Sequence, residues 1–249
     1  MELSIISFNI LCCDGPEGYA IRQRAPRITG ILEERKPDLI GFQEATPLWL
    51  EILQEGLGAQ YEIYNVWRGA NSHESTPIAW RKDRFDCLEQ KTLWFSDTPE
   101  QESRGWDNRY PCPRIVSLVR LKDRATGGEF IMANTHFGFG EECQTKSARM
   151  LTALAQGADC PFFVTGDFNM EPDAPGYAIL TRYFTDANAA LVNDLEHTFH
   201  GFDPERFGEH IDYCFTAPGV NPLSFRVMRD QVDGKYPSDH HPLLIRVAL

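Results

Sequence analysis

The chain has 249 residues, a formal net charge of −12 and a hydrophobic fraction of 42%. These values suit one large or two small globular domains with a packed core, and they exclude a disordered or collagen-like chain. Because the longest apolar stretches, such as the one from Pro161, are too short for a bilayer-spanning helix, we expect no membrane association. The negative charge repels nucleic-acid backbones, so we also expect no tight binding of duplex DNA.

The cysteines and the first residues of the chain indicate a reducing compartment. Seven cysteines occur, and no two of them have the CxxC spacing of a zinc or redox motif. We interpret them as reduced thiols that behave as small hydrophobic residues. The segment from Leu3 lacks the basic start and the cleavage site of a signal peptide. We therefore expect a first strand there and a cytoplasmic protein.

The beginning of the chain predicts a β-α-β-α order. Apolar runs of strand length lie near Ile5 and Ile40, and each is followed by a stretch of helical character. The first helix is expected to begin at Pro26. The second is expected to begin after Thr46, which would be its N-cap, with Pro47 as the first helical residue.

The rest of the chain is rich in predicted strands. The segments STPIAWRKD, CLEQKTLWFS, PRIVSLVRLKD and EFIMANTHF have strand composition, and a turn at 126–128 joins the last two as a hairpin. A helix over about 143–155 and a short helix over about 175–183 flank the strand PFFVTGDFN. The segments HIDYCFTA, LSFRVMRD and HHPLLIRVAL are expected to be the last strands.

The sequence shows no boundary between domains. No repeat, low-complexity tract or linker divides it, so we predict a single domain over residues 1–249. Many short strands with a few helices between them, without strict βαβ alternation, are typical of two packed sheets with helices outside. We therefore predict an α/β (α+β) sandwich. The strand order does not follow from the sequence.

Polar and ionisable residues recur at the ends of the apolar strands. They are Asn9, Glu44, His136, Asp167, Asn169, Asp212, Asp239 and His240. A buried carboxylate or imidazole without a partner destabilises a fold, so a single residue of this kind is ordinarily a cap or a turn residue. The recurrence of such residues at strand after strand predicts one shared site.

The residue types in this set indicate a phosphoesterase that uses a hard divalent cation. Oxygen ligands such as those of Glu44 and Asp239 suit Mg²⁺, or alternatively Mn²⁺, better than zinc. Hydrolysis of a phosphate ester requires a group that orients or deprotonates water, a positive group on the non-bridging oxygens and help for the leaving oxygen. The acids, histidines and asparagines of the set can supply these functions.

Six short motifs carry a resemblance to a known family. SFNI, GFQE, NTHF, GDFN, HIDY and SDHHP occur in this order and extend from Asn9 to His240. They resemble the endonuclease/exonuclease/phosphatase superfamily, and the segments RGWDNRYPCPRIVS and HTFHGF resemble its bacterial branch related to the deadenylases and nocturnin. The resemblance implies a four-layered sandwich of two packed mixed β-sheets with helices on the outer faces, and a site at the strand ends.

The resemblance also implies the residues that bind the metal. Glu44 would be the principal metal ligand with Asn9 beside it, and Asp239 would lie next to the metal. Some relatives carry an acid two places after the asparagine of the first strand. Leu11 occupies that place here, so a second metal would lack one of its ligands.

The catalytic roles that the resemblance implies fall on five residues. Asp167 would orient or deprotonate the attacking water, and Asn169 would hold the phosphate or the water. His240, aligned by Asp212, would contact the scissile phosphate. His136 would stabilise the phosphate or the leaving oxygen.

Three further residues are candidates for substrate binding. Arg114 begins a strand at which an arginine reaches the phosphate in some relatives, or else it pairs with one of the many surface acids. Arg104 and Trp106 share a glycine-containing loop, where Trp106 either stacks on a base or ring or covers the edge of the sandwich. Deadenylase-like relatives often read THLDH or THLKA after this strand, whereas this chain reads THFGFG, and Gly138 offers no side chain for a substrate contact from that loop.

The other histidines are expected to lie outside the site. His197, His200 and His241 are interpreted as structural residues, because the HTFHGF segment has the composition of a loop packed around its aromatic side chains. His73 and His210 are expected to face solvent.

The favoured function is hydrolysis of a phosphodiester by a nuclease or phosphodiesterase that acts on a small or single-stranded substrate. The expected partner is therefore a phosphate ester, with nucleotides and single-stranded nucleic acids included. The alternative enzyme is a phosphomonoesterase for a sugar or inositol phosphate. A binding protein of the same fold without catalysis is disfavoured, because none of the central residues is missing.

Overall fold

The computed structural model describes residues 1–107, 109–110, 112–192, 196–205 and 208–249. Its strands are β1 (Glu2–Asn9), β2 (Leu39–Gln43), β3 (Tyr61–Tyr64), β4 (Trp67–Gly69), β5 (Ser72–Ser75), β6 (Ile78–Arg81), β7 (Phe85–Trp94), β8 (Ile115–Asp123), β9 (Glu129–His136), β10 (Phe162–Asp167), β11 (Thr185–Asp186), β12 (Asp212–Thr216), β13 (Asn221–Val227) and β14 (Leu243–Ala248). Its helices are α1 (Ile21–Arg35), α2 (Pro47–Leu57), α3 (Glu141–Gln156), α4 (Pro175–Leu180) and α5 (Ala187–Leu191).

Two mixed sheets form the centre of the fold. The first has the order β13-β14-β1-β2-β6-β3, and the second has the order β11-β12-β10-β9-β8-β7. One pair of neighbours in each sheet is parallel, β1 with β2 and β9 with β10. The remaining pairs are antiparallel, and they include the hairpin of β8 and β9 that the sequence predicts. β4 and β5 form a small separate hairpin.

The apolar side chains define four layers. Ile5 of the first sheet and Phe163 of the second belong to the core between the sheets. On the outer face of the first sheet, α1 and α2 bury residues such as Leu32 and Trp49, and α3 buries Leu151 on the outer face of the second. Each large apolar side chain that is fully buried contributes about 1.5–3 kcal/mol. The helix–sheet–sheet–helix order confirms the predicted four-layered sandwich.

The two parallel strand pairs determine where the functional side chains meet. A helix joins the members of each pair, α1 between β1 and β2, and α3 between β9 and β10. The carboxyl ends of parallel neighbours lie at the same edge of a sheet. Because β1 and β2 face β9 and β10 across the core, the carboxyl ends of these four strands come together.

A buried polar layer connects the two sheets below this edge. The side-chain amide of Gln43 donates to Asn134 Oδ1 at 2.7 Å, and Asn134 Nδ2 donates to the carbonyl of Phe42 at 2.7 Å. The hydroxyl of Thr165 donates to Asn134 Oδ1 at 3.2 Å. A Cβ atom at Gly41 would lie 2.6 Å from both Asn134 Oδ1 and Thr165 Oγ1, so glycine is required for this close approach.

The first helix begins earlier than the sequence predicts. It starts at Ile21 rather than at Pro26, which lies inside the helix. The backbone N–H of Ile21 donates to Asp14 Oδ1 at 2.8 Å, and that of Ala20 donates to Gln23 Oε1 at 3.1 Å. These acceptors satisfy the first free N–H groups of the helix. Asp14 lies seven residues before Ile21, outside the usual N-cap position, so the helix-start signals did not reveal it.

Some of the other elements agree with the prediction from the sequence, and others were not predicted. The second helix begins at Pro47 after Thr46, as predicted, although the Thr46 side chain forms no capping hydrogen bond. The β4–β5 hairpin and β3 were not predicted, since their strands are only three or four residues long. Across the described ranges, no helix combines the length and apolar character that crossing a membrane requires.

Candidate active site

The carboxyl ends of the parallel strands border a cavity of about 440 Å³. The predicted residues that line it are Glu44, Arg114, His136, Asp167, Asn169, Asp239 and His240. Asn9 and Asp212 lie behind this lining and are hydrogen-bonded to it. The structure thus brings the predicted catalytic and metal-binding residues to one place. Their individual roles stay predictions.

Asp167 lies at the centre of the site because of the strand register. It is the last residue of β10, opposite His136 on β9 and Asp212 on β12. Its Oδ2 atom is 3.5 Å from Nε2 of His136 and 3.8 Å from Nε2 of His240. The other ring nitrogen of His240, Nδ1, donates to Asp212 Oδ2 at 2.8 Å. Two imidazoles therefore approach one carboxylate oxygen, and an acid orients one of them.

Burial and neighbouring charges shift the pKa values of Asp167 and His240. Burial, together with the charge of Asp212, raises the pKa of Asp167 to about 7, although His240 opposes the shift. Burial alone would lower the pKa of His240. The charge and hydrogen bond of Asp212, with further help from the nearby acids, outweigh burial and raise that pKa to about 10. At neutral pH, His240 is therefore charged, and Asp167 can exchange a proton.

His136 differs from His240 in its charge. Burial and the positive charges of Arg114, Arg68 and His240 hold the pKa of His136 well below its ordinary value. The imidazole is therefore neutral at neutral pH, and its contact with Asp167 is not an ion pair. Two histidines of opposite protonation state flank the same carboxylate.

Arg114 carries buried hydrogen-bond donors without acceptors. The residue is 4% exposed, and its Nε and Nη1 atoms have no hydrogen-bond partner in the described part of the chain. The nearest acid is Asp107, whose Oδ2 atom is 3.8 Å from Nε. Buried N–H groups without acceptors cost stability, and an anion in the cavity would supply the acceptors. Of the two placements that the sequence allowed, Arg114 lines the cavity and also lies near an acid.

Glu44 is held at the end of β2 by a left-handed backbone and two donors. Its φ angle is 61°. Its carboxylate accepts from Asn9 Nδ2 at 3.1 Å and from the backbone N–H of Cys12 at 2.8 Å. Partial burial opposes ionisation, but the Cys12 hydrogen bonds, the charge of His240 and Asn9 together lower the pKa of Glu44. Glu44 is therefore a carboxylate in a strained backbone conformation, as is common at functional sites.

Asn9 connects the two halves of the site. Its Nδ2 atom donates to Glu44 and also to Asp167 Oδ2 at 3.0 Å, while its Oδ1 atom accepts from the N–H of Leu11 at 3.1 Å. Asn9 thus aligns the principal acid of each sheet. Its contact with a metal stays a prediction.

Asn169 occupies the corresponding position after β10. Its φ angle is 49°, and its N–H donates to Asp167 Oδ1 at 2.9 Å. The Nδ2 atom of Asn169 donates to the carbonyl of Phe137 at 2.8 Å. The backbone carbonyl of Asn169 accepts from Gln144 Nε2 at 2.6 Å. These bonds fix the amide at the cavity wall.

Carboxylates around Glu44 form a suitable site for a divalent cation. Ligand atoms of Cys12, Glu44 and Glu74 lie within 4.8 Å of one another. Partial burial and the charge of Glu44 raise the pKa of Glu74 despite Arg68, and the same two causes raise the pKa of Asp239 despite His240. The acids therefore repel one another, and a bound cation would remove the repulsion. Oxygen donors beside an open cavity fit a hard cation that retains water ligands.

A buried arginine supports the loop that follows β1. Arg24 is fully buried, and its guanidinium donates to the carbonyls of Ile10 at 2.5 Å, Leu11 at 3.0 Å and Cys13 at 2.8 Å. The guanidinium carbon also lies 5.1 Å from the ring centroid of Trp49. These contacts hold the loop in the conformation that presents the Cys12 N–H to Glu44.

Several residues of the cavity were not identified from the sequence. Arg68 and Glu74 line it and form an ion pair of 2.5 Å on the β4–β5 hairpin, whose strands were also missed. Tyr110, Phe139 and Phe199 add aromatic rings to the lining. Arg68 and Glu74 lie in no motif or periodic segment. Tyr110 and Phe199 lie in the segments RGWDNRYPCPRIVS and HTFHGF that carry the family resemblance, but the sequence did not single them out.

Two predicted substrate-binding residues lie apart from the cavity lining. Arg104 is exposed. Trp106 donates from Nε1 to Asp97 at 3.2 Å, and its ring packs against the apolar cluster on the outer face of the second sheet. Their substrate contacts stay predictions. The prediction for His210 was wrong, since it is buried and its Nδ1 atom lies 2.6 Å from the carbonyl of Glu196.

Comparisons with known proteins agree with this geometry. The family model of the Endonuclease/Exonuclease/phosphatase family matches residues 6–240. An endonuclease/exonuclease/phosphatase family protein from Bacteroides thetaiotaomicron is 28% identical with a TM-score of 0.91, covering 99% of this chain and 97% of that one. The mannosyl-6-phosphatase of Bacteroides thetaiotaomicron VPI-5482 is 29% identical with a TM-score of 0.87, covering 99% and 100%.

A more distant relative comes from yeast. A probable RNA exonuclease of Schizosaccharomyces pombe is 24% identical over 202 residues, which cover 73% of this chain and 39% of that protein. This chain spans 60% or less of the length of the curated relatives that it matches. The family match, by contrast, includes every strand-end residue from Asn9 to His240. The chain therefore belongs to the Endonuclease/Exonuclease/phosphatase family and is a phosphoesterase.

Proposed function

We propose that this phosphoesterase is a magnesium-dependent phosphatase that hydrolyses the phosphomonoester of a small compound such as a sugar phosphate. The observation that carries the proposal is the pair of unpaired, buried donors of Arg114 in the cavity that holds Asp167 and His240. A planar guanidinium matches two oxygens of one phosphate group. A phosphate bound there would satisfy one of the two donors, because Nε and Nη1 lie on different edges of the guanidinium.

Positive charge on the cavity wall suits a dianionic phosphate. His240 is charged at neutral pH, because Asp212 and the neighbouring acids outweigh burial and raise its pKa to about 10. Arg114 and Arg68 both lower the pKa of His136, so both add positive charge beside the cavity. A phosphomonoester carries more charge on its non-bridging oxygens than a phosphodiester does, so it benefits more from these groups.

The other groups have the properties that hydrolysis needs. Asp167 has a pKa of about 7, raised mainly by burial, so it can accept a proton from the attacking water near neutral pH. His240 would contact a non-bridging oxygen while Asp212 fixes its ring. Neutral His136 can donate a hydrogen bond to the phosphate or to the leaving oxygen. Asn169, held by Phe137 and Gln144, would position the phosphate or the water.

Glu44 and Asp239 would hold the magnesium ion, with Asn9 aligning Glu44. When bound, Mg²⁺ supplies positive charge that stabilises the negative charge that develops on the phosphate and leaving oxygens. Mn²⁺ has similar ligand preferences and should substitute for it.

The lining of the cavity supports a phosphomonoester as the first candidate, whereas the sequence favoured a phosphodiester. Glu74 and Glu209 line it, and the whole chain carries a net charge of −12, so further phosphates of a nucleic-acid strand would be repelled. The similarity to a mannosyl-6-phosphatase over the whole of both chains supports the same choice. Hydrolysis of a phosphodiester in a single strand is the second candidate, supported by the similarity to a probable RNA exonuclease.

A comparison of substrates tests the proposal. Mannose 6-phosphate, an inositol phosphate, bis-nitrophenyl phosphate and single-stranded RNA would be incubated with the protein in Mg²⁺, in Mn²⁺ and in EDTA. We expect the highest kcat/KM for a phosphomonoester, loss of activity in EDTA and recovery with either metal. An Asp167→Asn protein prepared in parallel controls for contaminating phosphatases. Faster cleavage of the diester or RNA would replace the proposal with the second candidate.

A further inference from the structure

Two aromatic residues from different loops pack on each other at the mouth of the cavity. Tyr110 and Phe139 have ring centroids 5.2 Å apart at an interplanar angle of 49°. Both line the cavity, and Tyr110 is 59% exposed. A large aromatic side chain gains little from such exposure, whereas a ligand stacked on the ring would bury it.

A buried carboxylate fixes the position of this pair. Asp107 is 1% exposed, and its Oδ1 atom accepts from the backbone N–H groups of Arg109 and Tyr110, both at 2.9 Å. Its Oδ2 atom accepts from the N–H of Phe139 at 3.0 Å. One side chain therefore links both loops, and the Tyr110 ring has a defined place before any ligand binds. Preorganisation of this kind lowers the entropic cost of binding.

Gly138 makes this arrangement possible. A Cβ atom at position 138 would lie 2.7 Å from Asp107 Oδ2 and 2.7 Å from Cys143 Sγ. Because residue 138 has no side chain, the carboxylate of Asp107 can enter from the other loop.

The aromatic pair lies next to the phosphate-binding groups. The guanidinium carbon of Arg114 is 5.7 Å from the ring centroid of Phe139. On the other side, the ring of Phe199 is 4.9 Å from that of His240, and Phe199 pairs with Glu209 through a β-bridge. A compound with its phosphate between Arg114 and His240 would therefore extend its organic group along aromatic surfaces and past a carboxylate.

We propose that Tyr110, packed on Phe139 and held by Asp107, is a binding surface for the ring of the substrate's leaving group. The ligand class that fits is a neutral, ring-shaped, hydroxylated group with one phosphate. Its apolar ring face would stack on Tyr110, and Glu209 would accept from its hydroxyl groups while repelling a second phosphate. This inference rests on the proposed function for the place of the phosphate.

The test compares a ring with an open chain of similar size and equal charge. Mannose 6-phosphate and mannitol 1-phosphate would be titrated by calorimetry, in Mg²⁺, into the Asp167→Asn protein, which is expected to bind without turnover. The variants Tyr110→Ala and Tyr110→Phe would be added to that background. We expect mannose 6-phosphate to bind more tightly than mannitol 1-phosphate. Tyr110→Ala should weaken binding of the ring compound by about three- to tenfold, in the range of one aromatic contact, and leave that of the open chain unchanged.

Tyr110→Phe keeps the ring face and should retain the preference. Three results would overturn the inference. Tyr110→Ala could weaken binding of both ligands equally, it could weaken binding of neither, or the Asp167→Asn protein could bind neither ligand. Failure of the proposed function has a different signature. In that case the unmodified protein hydrolyses no phosphomonoester, whereas the preference for the ring and its dependence on Tyr110 persist in the titrations.

Discussion

Replacing Arg114 with methionine separates activity from stability, because the buried guanidinium is poorly satisfied in the protein alone. Two of its nitrogens lack acceptors, and its ion-pair contact with Asp107 is long, at 3.8 Å. Methionine fills a similar volume without polar atoms. The substitution therefore removes buried donors that have no acceptor in the described part of the chain.

The substitution should lower kcat/KM strongly but change the free energy of unfolding little. Hydrogen bonds to a charged group contribute about 1.5–3 kcal/mol each, and two that act on one phosphate should stabilise the transition state by about 3–4 kcal/mol. Since about 1.4 kcal/mol corresponds to a factor of ten, kcat/KM should fall by about 10²–10³. Removing unpaired buried donors favours folding, while the loss of the Asp107 and Phe139 contacts opposes it. The free energy of unfolding should therefore stay within about 1 kcal/mol.

Steady-state kinetics and urea unfolding of the same preparations measure the two effects. Arg114→Lys is the matched control, because it keeps the charge but cannot form two parallel hydrogen bonds, so its activity should lie between the other two. A loss of about 3 kcal/mol or more in unfolding free energy with kcat/KM within threefold of the unmodified protein would refute the reasoning. Arg114 would then be a structural partner of Asp107.

Four further predictions concern charge. His240→Ala should lower turnover by about 10²–10⁴ with little change in melting temperature, and unfolding of that variant would identify His240 as a packing residue. Asp212→Asn removes the main influence that raises the pKa of His240 against burial, so the alkaline limb of kcat/KM should move down from about pH 10, and an unmoved limb would contradict the pair. Glu44→Gln should weaken Mg²⁺ binding in calorimetry without loss of the fold, and unchanged affinity would make Glu44 structural. Burial and nearby positive charge lower the pKa of His200 to about 4 and of His241 to about 3, against about 6.5 when unfolded. The unfolded chain then binds more protons, so stability is full above about pH 6.5 and falls by about 2 kcal/mol for each histidine, about 4 kcal/mol in all, towards pH 5. Urea unfolding at both pH values measures the loss, which should be smaller after both histidines are replaced with glutamine, and an equal loss would exclude them as its source.

The strand-end residues could be predicted from the sequence because their signal is local. An apolar run that ends in Asn9, Glu44 or Asp167 shows both the strand and the polar residue at its end. The family resemblance then added an expected role for each position. The structure adds the strand register, which places His136 and Asp212 on either side of Asp167. No local pattern contains that register, since it depends on how distant strands pair.

The residues that sequence reasoning missed depend on contacts between distant segments. The β4–β5 hairpin carries Arg68 and Glu74 into the cavity, but its strands of three and four residues are too short to show periodicity. The start of α1 depends on Asp14, which caps the helix from outside the usual N-cap position. The hairpin was therefore missed because its strands are short, and the helix start because its acceptor lies outside the position that helix-start signals consider.

The choice between Trp106 and Tyr110 illustrates the same limit within one loop. Trp106 has the larger ring and is the candidate for stacking that the sequence suggests. Its ring packs on the apolar cluster at the outer face of the second sheet, however, while Tyr110 faces the cavity. Asp107 lies between them in sequence, and its carboxylate binds the N–H groups of Tyr110 and Phe139. That carboxylate can enter only because residue 138 is a glycine. The ring that a substrate meets is therefore decided by a glycine and an aspartate more than thirty positions apart, as the bond between Phe139 and Asp107 spans 32 positions.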